Sequence, residues 1–133
     1  MKVCLAVPII GGRDLDRGKS IASVINAVGH EVASPWVLKE DPGFLLPTTE
    51  VFKRDLAAVE ASDILVAEIT SASHGVGMKM MAAYFHGKPI ILLYKASAML
   101  SRMLLGIPGA TLLEYASAEE ITKKLMELLR SKR

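Results

Sequence analysis

The chain has a single cysteine, Cys4, in 133 residues. A disulfide framework is excluded, and a thiol inside the first apolar run reads as a buried, inert side chain. No apolar run reaches the roughly 20 residues a membrane-spanning helix needs, so no membrane partner is expected. His, Cys, Asp and Glu nowhere take the spacing of a metal site, and neither a metal nor another cofactor is expected. There is no internal repeat and no low-complexity segment. Charge of one sign is also scarce: 16 Lys and Arg against 14 Asp and Glu leave a net charge of +2. The cations gather near the end (Lys123, Lys124, Arg130, Lys132, Arg133), where they complement a helix dipole. No nucleic-acid partner is expected. Residues 1–10 lack the features of a signal peptide, and a cytoplasmic location is expected.

What is present is apolar. Hydrophobic residues make up 51% and charged residues 23% of the chain, and mean hydropathy is +0.35. Such a chain is long and apolar enough for one domain over residues 1–133 with its own core.

Residues 63–95 organise the pattern. Ile64-Leu65-Val66-Ala67 is a short apolar run of the kind found in strands buried on both faces. A polar crest from Glu68 to His74 follows, then Gly75-Val76-Gly77 and an apolar helical stretch to His86. Gly87-Lys88-Pro89 restarts the chain into Ile90-Ile91-Leu92-Leu93-Tyr94. Strand, loop, helix and strand of this length form a right-handed βαβ unit. In open α/β sheets, ligands bind beyond the carboxyl ends of the strands. The crest lies there, with glycines that let a ligand approach the backbone and a helix N-terminus suited to anions.

The rest of the chain repeats the alternation. Residues 2–7 read as the first strand, and Asp14 or Asp16 as the cap of a helix to about Val28. Residues 30–33 read as a short second strand. Residues 34–47 hold Pro35, Pro42, Gly43 and Pro47 without periodicity, and a loop of this length is usually functional or mobile. Thr48 or Thr49 starts a second helix with Val51, Phe52, Leu56 and Val59 facing inward. Residues 97–105 read as a short apolar helix, residues 110–113 as a fifth strand, and Ser117 with Glu120 as a capping box for the last helix. The fold class is therefore α/β: a single-domain three-layer sandwich on a five-stranded parallel sheet, in the flavodoxin-like order 2-1-3-4-5. That order sets the loop Gly11-Gly12-Arg13 across a crevice from residues 73–77.

Several segments, in order, carry a more specific signal. They are Pro8-Ile9-Ile10-Gly11-Gly12-Arg13-Asp14, Asp55, Ala61-Ser62-Asp63, Val66-Ala67-Glu68-Ile69-Thr70, Ser73-His74-Gly75-Val76-Gly77, Gly87-Lys88-Pro89-Ile90, and Leu100-Ser101-Arg102-Met103 with Gly106. In these the chain resembles the nucleoside 2-deoxyribosyltransferase superfamily, most closely its 2′-deoxynucleoside 5′-monophosphate N-glycosidase branch. The resemblance implies a deoxyribosyltransferase-like fold and a pocket for a nucleotide or sugar phosphate. It also implies chemistry in which a Glu carboxylate attacks the anomeric carbon through an oxocarbenium-like transition state. The implied substrate-binding set is Ile9, Gly11, Gly12, Arg13, Ser73, Gly75, Gly77 and Ser101, the last contributed by a neighbouring subunit. Asp55 matches the acid that assists the sugar hydroxyl and the departing base.

The resemblance breaks at the nucleophile. The family's Glu follows Gly-Val-Gly by two residues, in the first helical turn, and Lys79 stands there. An ammonium repels the positive charge that develops on the sugar. Met78, Met80 and Met81 offer no acid in its place. Pro8 and Ile10 stand where the branch holds phosphate with Ser and Arg, and Trp36 where it tends to carry His.

Each candidate also has a plain structural reading. Lys79 is a solvated lysine, an anion ligand working with the helix N–H groups, or an amine nucleophile for a sugar aldehyde. Arg13 is an anion ligand or a surface charge. Asp55 lies in the pocket or pairs with Lys53 or Arg54. Glu68 is a ligand or base, or pairs with a cation or a backbone amide. His74 reads as structural, His30 and His86 as turn residues, and Asp63 as a capping or turn residue. Three functional expectations follow: a nucleotide-binding relative with weak or absent hydrolysis, an active N-glycosidase using Glu68 or Asp55, or an oligomeric scaffold with a vestigial pocket. The apolar helices 75–86 and 97–105 are expected to make a homodimer or larger assembly.

Overall fold

The computed structural model describes residues 1–132. Five strands form one all-parallel sheet in the order β2-β1-β3-β4-β5. They are β1 (Lys2–Ala6), β2 (Glu31–Val32), β3 (Ile64–Glu68), β4 (Ile90–Lys95) and β5 (Thr111–Tyr115). The helices are α1 (Leu15–Ala27), α2 (Thr48–Ala61), α3 (His74–Phe85), α4 (Arg102–Leu105) and α5 (Ala118–Arg130). Every residue of β3 is buried, as the unbroken apolar run requires when helices cover both faces.

Strand alternation sorts the core into two layers. Val3, Leu5, Ile64, Val66, Ile91 and Leu93 pack against Ile21, Val24 and Ile25 of α1 and Ile121, Leu125 and Leu129 of α5. Cys4, Ala6, Leu65, Ala67 and Leu92 pack on the other side against Val59 of α2 and Val76, Met80 and Ala83 of α3. Burial pushes the Cys4 thiol up, and the nearby Lys79 ammonium offsets this in part.

The strand order reverses between β1 and β3, which opens the sheet's carboxyl edge to a ligand. β2 is shorter than residues 30–33. Beyond it, the buried Ser34 hydroxyl takes over the edge of β1, accepting from Leu5 N at 3.0 Å and donating to Leu5 O at 2.9 Å. His30 is no turn residue: it is buried, with Nδ1 3.2 Å from the Met1 amine and Nε2 3.3 Å from Leu129 O. Asp14 caps α1 by accepting from Arg17 N at 2.9 Å, while Asp16 lies in the first turn. Ser117 caps α5 by accepting from Glu120 N at 3.3 Å, as expected, but Glu120 Oε2 accepts from Ala116 N at 3.1 Å, one residue before the cap, and not from Ser117 N.

Three expectations are corrected here. Phe52 does not face inward; it is 54% exposed and borders an open cavity between α2 and α3. The helix over residues 97–105 shrinks to the single turn of α4, and Ser97, at φ 67°, turns the chain after β4. The third helix starts at His74, so Lys79 is its sixth residue and lies beyond the first turn.

Ile91 is fully buried in the centre of the larger layer. Ile91→Ala should lower the unfolding free energy by about 2–5 kcal/mol, read by urea denaturation with an unchanged m-value.

Candidate active site

A crevice of about 440 Å³ opens on the α2–α3 side of the sheet's carboxyl edge. Val7, Ile9 and Ile10 line it after β1, Trp36 and Val37 after β2, and Pro42, Gly43, Phe44 and Leu46 from the long loop. The first halves of α2 and α3 complete the wall with Thr48, Val51, Arg54 and Asp55 and with Ser73, His74, Gly75, Val76 and Lys79. A second cavity of about 390 Å³ runs between the two helices and shares Thr48, Val51, Asp55, Gly75 and Lys79 with the first.

The wall common to both cavities is an ion cluster. Lys79 Nζ lies 3.5 Å from Asp55 Oδ2, and the Lys79 side chain is only 10% exposed. Arg54 Nε donates to the other carboxylate oxygen, Oδ1, at 3.0 Å. Arg54 also donates to Pro42 O at 2.7 Å, and its guanidinium sits 4.4 Å from the centre of the Trp36 ring. One arginine thus fixes the carboxylate and the long loop together, through separate donors of one planar fork and stacking a lysine cannot match. The reading of Lys79 as a solvated surface lysine does not hold. Both readings of Asp55 do: it lines the crevice and it pairs with Arg54.

Other candidates are placed elsewhere. Arg13 turns away from the crevice and donates to Val37 O, Lys39 O and Glu40 O. It clamps the segment after β2, so the reading of a free surface charge does not hold. Gly11 and Gly12 adopt φ 72° and 66°, and a Cβ on Gly12 would lie 2.4 Å from Ser71 Oγ. Gly12 is therefore needed for close approach of the two loops, outside the crevice lining. Ser73 lines the crevice, but its hydroxyl caps α3 by accepting from Val76 N at 3.3 Å. Gly75 lines both cavities, whereas Gly77 faces a groove of about 570 Å³ between α3 and α4. Ser101 is exposed just before α4.

Glu68 ends β3 on the opposite face of the sheet, as alternation from Ile64 and Val66 dictates. It is 3% exposed. Its Oε2 accepts from the Tyr115 hydroxyl, its Oε1 from Thr70 N, and Arg17 Nε lies 3.9 Å away. The sheet separates it from Lys79 and Asp55.

Sequence reasoning missed Arg54 as an organiser of the crevice and missed Tyr115 as the partner of Glu68. The long loop's prolines and glycine were the one available sign that residues 34–47 would build a wall.

No family model matches the chain. A protein of Thermofilum pendens that carries the provisional name 2′-deoxynucleoside 5′-phosphate N-hydrolase 1 is 32% identical over 136 aligned residues, which cover 97% of this chain and 95% of that protein. The chain belongs to the 2′-deoxynucleoside 5′-phosphate N-hydrolase family. Two solved structures share the fold of this family member. A CMP N-glycosidase of Clostridium botulinum superposes with a TM-score of 0.75 at 22% identity, covering 97% of this chain and 99% of that one. A 2-deoxyribosyltransferase of Bacillus psychrosaccharolyticus does so with a TM-score of 0.70 at 22% identity, covering 97% and 96%. The superfamily and the sheet order expected from the sequence are both met.

Burial, and then the hydrogen bond to Glu68, push the Tyr115 phenol above its ordinary range. A folded-state value above the unfolded one, about 10, gives stability that is present below that pH and lost as pH rises beyond it. Wild-type protein should therefore lose stability above about pH 10 more steeply than Tyr115→Phe, read by urea midpoints across the alkaline range.

Proposed function

We propose that the crevice binds a 2′-deoxynucleoside 5′-phosphate or a related sugar phosphate, and that its N-glycosidic hydrolysis is slow or absent. The observation that carries this reading is the buried Lys79 ammonium, paired with Asp55 in the crevice wall. Relatives of this chain are named for hydrolysing such nucleotides, and the resemblance puts a nucleophilic carboxylate at position 79. A cation about 4 Å from a developing oxocarbenium opposes it by roughly 4 kcal/mol at an effective dielectric of about 20. That corresponds to about three orders of magnitude in rate. Asp55 tempers the repulsion without reversing it, since Arg54 draws on the same carboxylate.

A second reading, an active hydrolase, has one observation in its favour. Asp55 is the acid that lines the crevice among the described residues, and it supplies a carboxylate if its two cations yield. Glu68 is a poorer candidate for that role because it lies on the other face of the sheet, against Arg17 of α1 and Tyr115 of β5.

The exposed apolar side chains Met78, Tyr84, Phe85, Met99 and Met103 support a homo-oligomer built on α3 and residues 97–105, in which Ser101 reaches a neighbour's crevice. The proposed setting is a single cytoplasmic domain; no helix of the described residues is long and apolar enough to cross a membrane.

The test is incubation with a panel of 2′-deoxynucleoside 5′-phosphates, following free base and thermal stability together. Bound nucleotide at 100 times its Kd should add about 2.7 kcal/mol and raise Tm, while free base stays at the level of a protein-free control. Lys79→Glu should gain base release. Rapid release by wild type that Asp55→Asn abolishes would establish the second reading.

A further inference from the structure

We propose that Lys79 is an imine-forming residue, whose amine condenses with the open-chain aldehyde of a pentose or 2-deoxypentose phosphate in the crevice. The inference rests on the reading that the crevice accepts the sugar part of a nucleotide, and it adds a covalent chemistry that the carboxylate route does not contain.

An amine adds to an aldehyde when it can shed a proton, reach the carbonyl and hand protons on through the carbinolamine. Lys79 Nζ has its proton acceptor 3.5 Å away in Asp55 Oδ2. Asp55 Oδ1 is held independently by Arg54 Nε at 3.0 Å. With Lys79 charged, the three groups sum to +1. When Lys79 has passed its proton to Asp55, the remaining charge rests on Arg54, which keeps the Pro42 carbonyl and the Trp36 ring as partners. The wall around the amine is largely apolar, with Val7, Ile9, Val37 and Val51 lining the same crevice, which limits the water that would compete for the imine. The volume, about 440 Å³, falls within the range of small-molecule sites, about 300–1,000 Å³.

The step balances without an oxidant or reductant. Lys79 gives one proton to Asp55, and the Nζ lone pair then adds to C1. The carbonyl π pair moves to oxygen, which takes a second proton from nitrogen to give a neutral carbinolamine. Asp55 returns its proton to the hydroxyl, water leaves, and a protonated C1=Nζ bond remains opposite the Asp55 carboxylate. The charge of the cluster is the same before and after.

Trapping tests this directly. The full chain is incubated with 2-deoxyribose 5-phosphate and sodium cyanoborohydride, and adducts are located by intact and peptide mass spectrometry. The expected result is one adduct per chain on the peptide that contains Lys79, absent in Lys79→Arg at the same dose and formed at least tenfold more slowly in Asp55→Asn. The melting temperatures of both variants show whether they are folded. If they are not, preference for Lys79 over the exposed lysines in wild type decides the matter. Labelling spread evenly over the lysines, or none at Lys79, overturns the proposal. Nucleotide-induced stabilisation measured without reductant separates the two readings: stabilisation with no Lys79 adduct defeats the imine alone, whereas an adduct without stabilisation defeats nucleotide binding and leaves the imine standing.

Discussion

The contact between the Lys79 ammonium and the Asp55 carboxylate is the constraint on which the crevice depends. A lysine whose side chain is 10% exposed needs a partner, since an unpaired buried charge costs several kcal/mol. Asp55 meets that need from the neighbouring helix and is itself shared with Arg54. Arg54 carries the constraint outward, through Trp36 and the Pro42 carbonyl, to the loop that forms the crevice's outer wall. Arg13 clamps the same loop from the other side through three carbonyls. Pocket shape and pocket charge are therefore set by one connected group of side chains, and a change at position 79 acts on both.

The sheet divides the acids of the molecule by role. Alternation along β3 sends Glu68 toward α1 and α5, where Tyr115, Thr70 and Arg17 satisfy it. Asp55 and Lys79 meet on the other side, close enough to Cys4 of the smaller core layer for both charges to act on its thiol. A carboxylate at the end of a strand near a switch point invites a catalytic reading, yet a period of two decides which cavity it can enter. Here Glu68 ties β3 to β5 at the carboxyl edge, and the chemistry of the crevice is left to groups on α2 and α3.

Much of the fold was legible in the sequence because its signals are local. The apolar runs of β1, β3 and β4, the caps Asp14 and Ser117, and the glycines after helices each act within a few residues, and the alternation of strands and helices then restricts the sheet order. The resemblance marked Asp55 and Lys79 as separate site positions, and only the structure brings them together as a pair. What was not legible depended on through-space partners. Nothing near Arg13 announces that its guanidinium would bind residues 37–40, and nothing near Glu68 announces a tyrosine 47 positions later. Ser97 at positive φ is a backbone exception that no periodicity reports. Phe52 fits an inward-facing helical stripe, but its end of the stripe borders a cavity while Val59 packs in the core.

The most direct measurement is a crystal structure of the unmodified protein soaked with a 2′-deoxynucleoside 5′-phosphate. The account predicts an intact glycosidic bond, with the sugar's anomeric carbon over Lys79 Nζ and the amine still beside Asp55. A structure with Lys79 turned out to solvent and a free carboxylate beneath that carbon would contradict it, as would density for a cleaved sugar held on an acid.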